Sequence, residues 1–262
     1  MNLPASHIIR AADALQAARA SRQPIARISE TFEVKTLADA YAVAALNTER
    51  ALAAGRKLSG RKVGLTSKAV QLQLGVDQPD YGVLFTDMEF IDGDVVPTSP
   101  LIHPKAEGEV AFVIGHEMSD PDLSWGRFLL AVAYALPAIE IVDSAIADWR
   151  ITLVDTVADN ASCGLYVLGT DPKTLGQLQL AECGMDFRLN GQTVSVGSGV
   201  ACMGHPLRAA FWLAKTMATL GQPLQAGDLV MSGALGPMFT FKPGDELTLS
   251  IGGLGQVRCR TI

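Results

Sequence analysis

Glu107 and Glu109 stand two positions apart in HPKAEGEVAFVIG, residues 103–115, a stretch whose other side chains suit a buried strand. Successive strand side chains point to opposite faces, so the two carboxylates share one face, about 7 Å apart along it, while Gly108 and Val110 occupy the other. On a wet face they are an ordinary solvated edge; in a pocket their repulsion requires a compensating cation. A third carboxylate, Glu140, lies in ALPAIEIVDS, where apolar neighbours suggest a second buried strand. Burying an ionised carboxylate is costly unless it is paired or ligates a metal, so three of them in strand cores point to one hard divalent cation. Mg²⁺ or Mn²⁺ suits an all-oxygen set, and no Cys or His cluster offers softer donors. From spacing alone both readings stand, because half-exposed sheets also carry alternating charges.

Other polar groups sit in apolar or turn-rich surroundings: Lys62 in GRKVGLTS, Asp80 in QPDYG, and Asp155, Asp159, Asn160 and Ser162 in VDTVADNAS. A lysine in a β-rich run serves as well for an edge residue that snorkels to water, Asp80 for a turn former, and VADNAS for Asx-type loop bonding. His103 and His205 each precede proline, which favours extended backbone and does not by itself argue ligation or acid-base work. The glycines of SVGSGVACMGHP lack dinucleotide-binding spacing, and neither a GxSxG elbow nor HExxH is present. Nucleotide binding and serine hydrolysis therefore have no support.

These side chains need elements to hold them. Residues 5–22 carry Ile8, Ile9, Ala12, Leu15 and Ala18 at helical spacing, and a second helix runs from a Thr36 cap to a Gly55 stop. Beyond residue 60 the period shortens and turn signals multiply in GVDQPDYGVL, IDGDVVP, LNGQTV, QAGDLV, KPGDEL and GGLGQV. Two helices interrupt this β-rich body, one across LSWGRFLLAVAYAL and one across HPLRAAFWLAKTMATLG, with Pro206 in its first turn and Gly221 at its end. The fold class is α+β: a single domain over residues 1–262, of which about 1–58 form a helical N-terminal segment.

Composition narrows the partners. With 18 % charged and 48 % apolar residues the chain is apolar for a soluble protein, so part of its surface is expected to be buried between subunits of a homo-oligomer. A formal charge of −6 gives no general attraction for nucleic acid or anionic membranes, which favours a small-molecule substrate. The four cysteines are widely spaced and read as buried thiols. Arg10 and Asp13 interrupt any apolar leader, and no run approaches a membrane span, so a cytoplasmic setting is expected.

Taken together, GRKVGLTSKAVQLQLGVDQPDYGVLF, HPKAEGEVAFVIG, VDTVADNASCGLYVLG, GHPLRAAFWLAKTMATLG and MSGALGPM resemble the 2-hydroxydienoate hydratases of the fumarylacetoacetate hydrolase superfamily, from about residue 36 to the C-terminus. The resemblance implies a mixed β-roll body and a metal held by Glu107, Glu109 and Glu140. It matches Lys62 and Asp80 to catalytic pocket residues, and Asn160, Ser162 and the Ser232, Gly233, Ala234, Leu235 segment to a substrate-facing wall. Part of Ala234, Leu235, Pro237, Met238 and Phe239 is expected to form an apolar far wall. Gly108 stands where such relatives are expected to carry alanine; it points away from the metal and should matter little. The implied reaction is metal-dependent hydration of 2-hydroxypenta-2,4-dienoate in the catabolism of aromatic compounds, in an oligomer built from dimers. Decarboxylation of 4-oxalocrotonate, hydration of a longer or dicarboxylate dienol, acylpyruvate hydrolysis and a non-catalytic scaffold are the alternatives.

Overall fold

Helix ends are set by local chemistry. Helix α1 (Ser6–Ser21) buries Ile8, Ala11, Ala12, Leu15 and Ala18, and ends as Arg22 enters the left-handed region. After the single turn α2 (Ile28–Thr31), α3 (Leu37–Ala53) starts in a capping box, in which Thr36 accepts from the Asp39 N–H and Asp39 accepts from the Thr36 N–H. The computed structural model describes residues 4–68, 71–72 and 76–262, so Met1, Asn2, Leu3, Ala69, Val70, Gln73, Leu74 and Gly75, parts of stretches quoted above, lie outside it.

The body is mixed β-structure. Its strands are β1 (Leu58–Gly64), β2 (Asp80–Phe85), β3 (Glu89–Ile91), β4 (Val95–Val96), β5 (Lys105–Ile114), β6 (Val132–Val142), β7 (Cys163–Leu168), β8 (Gly184–Leu189), β9 (Gln192–Ser198), β10 (Leu229–Met231), β11 (Phe239–Thr240), β12 (Glu246–Ile251) and β13 (Gly255–Thr261). The larger sheet runs β2-β1-β10-β5-β6-β7-β3, with β11 added beside the start of β5; the smaller runs β4-β13-β12-β8-β9. The LNGQTV turn places Asn190 and Gly191 at positive φ between β8 and β9, as a tight hairpin demands.

Strand alternation gives the larger sheet two different faces. Val110, Phe112, Ile139, Ile141 and Val167 pack on Phe187, Leu247, Leu249 and Val257 of the smaller sheet, in the main core that also takes the helix Pro206–Thr219. The opposite face carries Leu84, Ala111, Leu136, Ala138, Tyr166, Leu168 and Met231 as a separate apolar cluster. Glu107, Glu109 and Glu140 lie on this second face, since Ala111 continues the Glu107 row and Ala138 the Glu140 row. The N-terminal helices form a third cluster with Ala145, Ile146, Val157 and Ala158.

Two expectations are corrected. The helix across LSWGRFLLAVAYAL spans only α4 (Trp125–Ala131), and from Val132 the chain is already β6. The segment pairs with β5 through Val113↔Tyr134 and Phe112↔Ala135, so non-local pairing overrides a short apolar run whose periodicity suits either state. VDTVADNAS is not all loop: α5 (Leu153–Ala158) forms on a Thr152/Asp155 capping box. In α6 (Pro206–Thr219) the His205 imidazole is the N-cap, its Nδ1 accepting from the Leu207 N–H.

Candidate metal centre

Glu107 and Glu140 are direct partners in the β5/β6 register, and Glu109 is opposite Ala138. One carboxylate oxygen from each glutamate falls within 4.8 Å of the others. Glu109 and Glu140 are shut off from solvent, whereas Glu107 keeps partial access. Glu109 Oε2 accepts from the Gly233 N–H at 2.9 Å, a donor turned inward because Gly233 has φ +98°, which favours glycine. Glu109 Oε1 and both Glu140 oxygens have no hydrogen-bond partner among the described residues. Buried carboxylate oxygens are rarely left so, and three on one spot form a cradle for a cation.

Lys62 and Asp80 complete the cluster. Lys62 is 4 % exposed; its Nζ lies 3.1 Å from Glu140 Oε1, an ion-pair distance without hydrogen-bond alignment, and donates to the Ala161 carbonyl at 2.9 Å. Asp80 faces Gly64 in the β1/β2 register, and a Cβ on Gly64 would fall 2.1 Å from Asp80 Oδ1, so the missing side chain makes room for the carboxylate. Asp80 Oδ1 is also buried without a partner. Burial, and then Glu140, push Glu107 up to about 7 and hold Glu109 well above the carboxylate range. Burial also raises Asp80 to about 6, against the pull of Lys62. Burial alone would discharge Lys62, but Glu140, Asp80, Cys163 and Glu109 together outweigh it and raise its pKa. Four carboxylates around one ammonium cannot all ionise in a dry site, so they must share protons or a metal. An all-oxygen donor set with orphaned buried oxygens fits a hard divalent ion.

The model of the fumarylacetoacetate hydrolase C-terminal domain matches residues 60–262, which include all five of these side chains. The chain belongs to the fumarylacetoacetate hydrolase family. It is similar to the 2-keto-4-pentenoate hydratase of Paraburkholderia xenovorans, with 50 % identity over 95 % of this chain and 92 % of the relative. It is also similar to the 2-hydroxyhexa-2,4-dienoate hydratase of Comamonas testosteroni, with 39 % identity over 90 % of each. Among solved structures, the 4-oxalocrotonate decarboxylase of Pseudomonas putida G7, complexed with magnesium and adipate, superposes with a TM-score of 0.94 at 34 % identity, covering 100 % of this chain and 99 % of that one.

In this fumarylacetoacetate hydrolase family member the expected substrate wall is only partly present. Both ends of the Asn160 amide are committed to Val83, its Oδ1 accepting from the N–H at 2.7 Å and its Nδ2 donating to the carbonyl at 2.9 Å, so Asn160 fastens β2 rather than facing substrate. Ser162 Oγ pairs with Thr156 Oγ1 at 3.0 Å. Ser232 Oγ is turned onto backbone, accepting from the Val110 N–H and donating to the Gly233 carbonyl. Gly233 does reach the cluster through its N–H, and Ala234 is half-buried. Leu235, expected at the substrate, belongs to the main core on the other side of the sheet. Pro237 and Met238 are exposed, and Phe239 packs edge-on to Phe187. Gly108 points away from the cluster as expected, but a Cβ there would meet Leu249 and Met185 at 2.6 Å.

Tyr41 was not singled out by the sequence. Its ring stacks on Tyr81 at 4.4 Å, its hydroxyl accepts from the Tyr81 N–H, and burial followed by the Asp80 charge raises its pKa. A tyrosine at a helical position carries no signal of a role 40 residues away. Of the two histidines that precede proline, His205 caps α6, and His103 holds a buried Nε2 without a partner among the described residues.

Proposed function

We propose that this chain is a divalent-metal-dependent hydratase of 2-hydroxy-2,4-dienoates, converting 2-hydroxypenta-2,4-dienoate to 4-hydroxy-2-oxopentanoate. The observation that carries the reading is the trio of orphaned oxygens on Glu109 and Glu140, joined by Glu107, in a chain half identical to a 2-keto-4-pentenoate hydratase. Glu107, Glu109 and Glu140 would hold Mg²⁺ or Mn²⁺. Such an ion supplies Lewis-acid polarisation to a substrate that offers a carboxylate beside a 2-oxygen.

The remaining chemistry belongs to the protein's own groups. Lys62, kept charged by its carboxylate neighbours, stabilises negative charge on the 2-oxygen as the enol O–H proton passes to solvent. Asp80, raised to about 6, exists in both protonation states near neutrality and can deliver a proton to C5, leaving a C3–C4 double bond conjugated with the ketone. Water then adds across that bond: Asp80, left as a carboxylate by the first step, takes the water's proton as its hydroxyl joins C4, and C3 takes from solvent the equivalent of the proton that the enol released. Gly233 and Ala234 contribute to the substrate wall through backbone, while Asn160, Ser162, Ser232 and Leu235 support it from behind.

The 34 % identical decarboxylase, at a TM-score of 0.94, keeps a second reading in view. Product analysis by NMR, with the five-carbon dienol acid and with oxalocrotonate, decides between them. Hydroxylated C4 supports the hydratase, and CO₂ release from oxalocrotonate at comparable efficiency overturns it.

Residues 1–262 act in this reading as one catalytic domain. Trp125, Leu130 and Leu220 are large exposed apolar side chains, as befits a homo-oligomer built from dimers. The four cysteines are buried free thiols, which suits a cytoplasmic setting. No helix among the described residues is long and apolar enough to cross a membrane. Light scattering tests the assembly: a monomeric mass at micromolar concentration would count against it.

A further inference from the structure

The matched family model begins at residue 60, yet the helices before it reach the candidate active site. Lys62 is held on one side by Glu140 and on the other by the Ala161 carbonyl. That carbonyl belongs to a turn, Asn160–Ser162, in which three successive residues have left-handed φ of 56°, 51° and 53°. This conformation is unfavourable for L-residues and persists only where the surroundings impose it.

The surroundings centre on Arg19 of α1. Its Nε and Nη2 donate to the two Asp159 oxygens at 3.0 and 2.9 Å, a bidentate fork. Its Nη1 donates to Asp143 Oδ2 at 2.7 Å, and its Nη2 also reaches the Asp143 carbonyl at 2.9 Å. Asp159 lies directly before the turn and accepts from the Ser162 N–H through its carbonyl. Asp143 lies three residues after Glu140, and its N–H donates to the Ser162 carbonyl at 2.8 Å. The guanidinium thus closes a ring that ties both ends of the strained turn to the end of β6. Asp143 and Asp159 are buried, and among the described residues Arg19 is their one cationic partner.

We propose that Arg19 is a positioning residue of the active site: by clamping Asp143 and Asp159 it fixes the Asn160–Ser162 turn, and so places the Ala161 carbonyl that holds Lys62. The proposal rests on the catalytic reading of Lys62 given above. It assigns the N-terminal helix a part in turnover as well as in folding. A lysine cannot reproduce the clamp, because a single ammonium cannot span both aspartates with a planar fork.

Full-length Arg19→Lys, Arg19→Ala and Lys62→Met are compared for kcat and KM on the five-carbon dienol acid and for Mn²⁺ affinity by electron paramagnetic resonance. Arg19→Lys keeps a positive charge beside the buried aspartates, so it should fold; kcat should fall at least about tenfold, with KM and the Mn²⁺ affinity within about threefold of wild type. Arg19→Ala leaves two buried carboxylates unpaired. The site borders a cavity of about 330 Å³ lined by Arg19, Leu15, Asn47, Asp159, Asn160 and Cys163, so guanidinium at non-denaturing concentration should restore its kcat. If Arg19→Ala does not fold, Arg19→Lys decides alone. Wild-type kcat in Arg19→Lys, or a loss matched by an equal loss of Mn²⁺ affinity, overturns the proposal. Full activity in Lys62→Met overturns the reading of Lys62 and this route with it, whereas an inactive Lys62→Met beside a fully active Arg19→Lys removes Arg19 alone.

Discussion

Glu107 and Glu140 oppose one another directly across β5 and β6, a pairing of like charges at neighbouring positions of an antiparallel ladder. Such a pair is destabilising on an open sheet, and here Glu109 adds a third carboxylate within 4.8 Å. The arrangement is stable only with protons or a cation between the strands, and it explains why a buried strand carries E-x-E.

Removing one of the three should uncouple metal binding from folding. Glu140→Gln keeps the shape of the side chain while deleting a charge, and Mn²⁺ affinity measured by isothermal titration calorimetry should fall at least about 100-fold. Treatment of the wild-type protein with a chelator should abolish turnover, and added Mg²⁺ or Mn²⁺ should restore it. Unchanged Mn²⁺ affinity in Glu140→Gln would place the ion elsewhere.

The raised carboxyl groups set a pH dependence for the metal-free protein. Burial and then the Glu140 charge push Glu107 up to about 7 in the fold against an ordinary value of 4.5, and Glu109 is raised well above its ordinary value too. The folded state therefore holds protons that the unfolded chain has already released. The stability from this source is fully present below about pH 4.5 and is lost as pH rises through about 7. A divalent cation competes with those protons, so the rise in Tm on adding Mg²⁺ or Mn²⁺ should be larger at pH 8 than at pH 6. Differential scanning fluorimetry at the two pH values checks this; equal shifts would argue against a carboxylate site.

Lys62→Met keeps most of the stem volume and removes the ammonium beside Glu140 and Asp80. With metal bound, folding should survive, while kcat should fall about 100-fold or more. Stopped-flow absorbance of the dienol reads the rate, and circular dichroism reads the fold. Activity within a few-fold of wild type would reduce Lys62 to a packing residue.

Much of this site was legible because its signals are local. E-x-E on a strand, a third glutamate in an apolar run, and the Pro-Asp-Tyr-Gly motif each announce themselves in a few residues, as do the Thr36 and Pro206 helix starts. What was hidden depends on contacts distant in sequence. The start of β6 looked helical until its pairing with β5 is known, and Leu235 could not be assigned to one side of the sheet from its neighbours alone. Asn160 shows the same limit: its type suits a substrate contact, but its amide is spent on Val83, 77 residues away. Arg19 reads as an ordinary cation in the last turn of a helix, and its two partners lie 124 and 140 residues downstream.

Gly108 offers a test confined to packing. A Cβ there would stand 2.6 Å from Leu249 Cδ1 and Met185 Sδ, both ends of side chains that can shift. Gly108→Ala should therefore lower stability by about 1–2 kcal/mol in chemical denaturation and leave KM and Mn²⁺ affinity unchanged. A change in metal affinity without a change in stability would contradict the placement of residue 108 on the core side of the sheet.

Substrate choice turns on the far end of the molecule. A five-carbon dienol acid ends in an uncharged carbon, whereas oxalocrotonate ends in a second carboxylate, which costs several kcal/mol if left unpaired in a dry site. Two cations act on Glu107, namely Lys62 and Lys105. Lys62 is already engaged by Glu140 and the Ala161 carbonyl. Lys105 lies on the Glu107 face of β5 with its ammonium engaged by the Trp149 ring, 4.5 Å from its centre. The kcat/KM for the five-carbon dienol should accordingly exceed that for oxalocrotonate by at least about 100-fold, consistent with rejection of a misplaced charge. Lys105→Met should leave the five-carbon reaction within about threefold of wild type while lowering the residual rate on oxalocrotonate, because the uncharged end of the smaller substrate asks nothing of an ammonium. Comparable efficiency on both substrates in the wild-type protein would show that the pocket supplies the second cation after all, and would move the chain from the hydratases to the decarboxylases without disturbing the three glutamates.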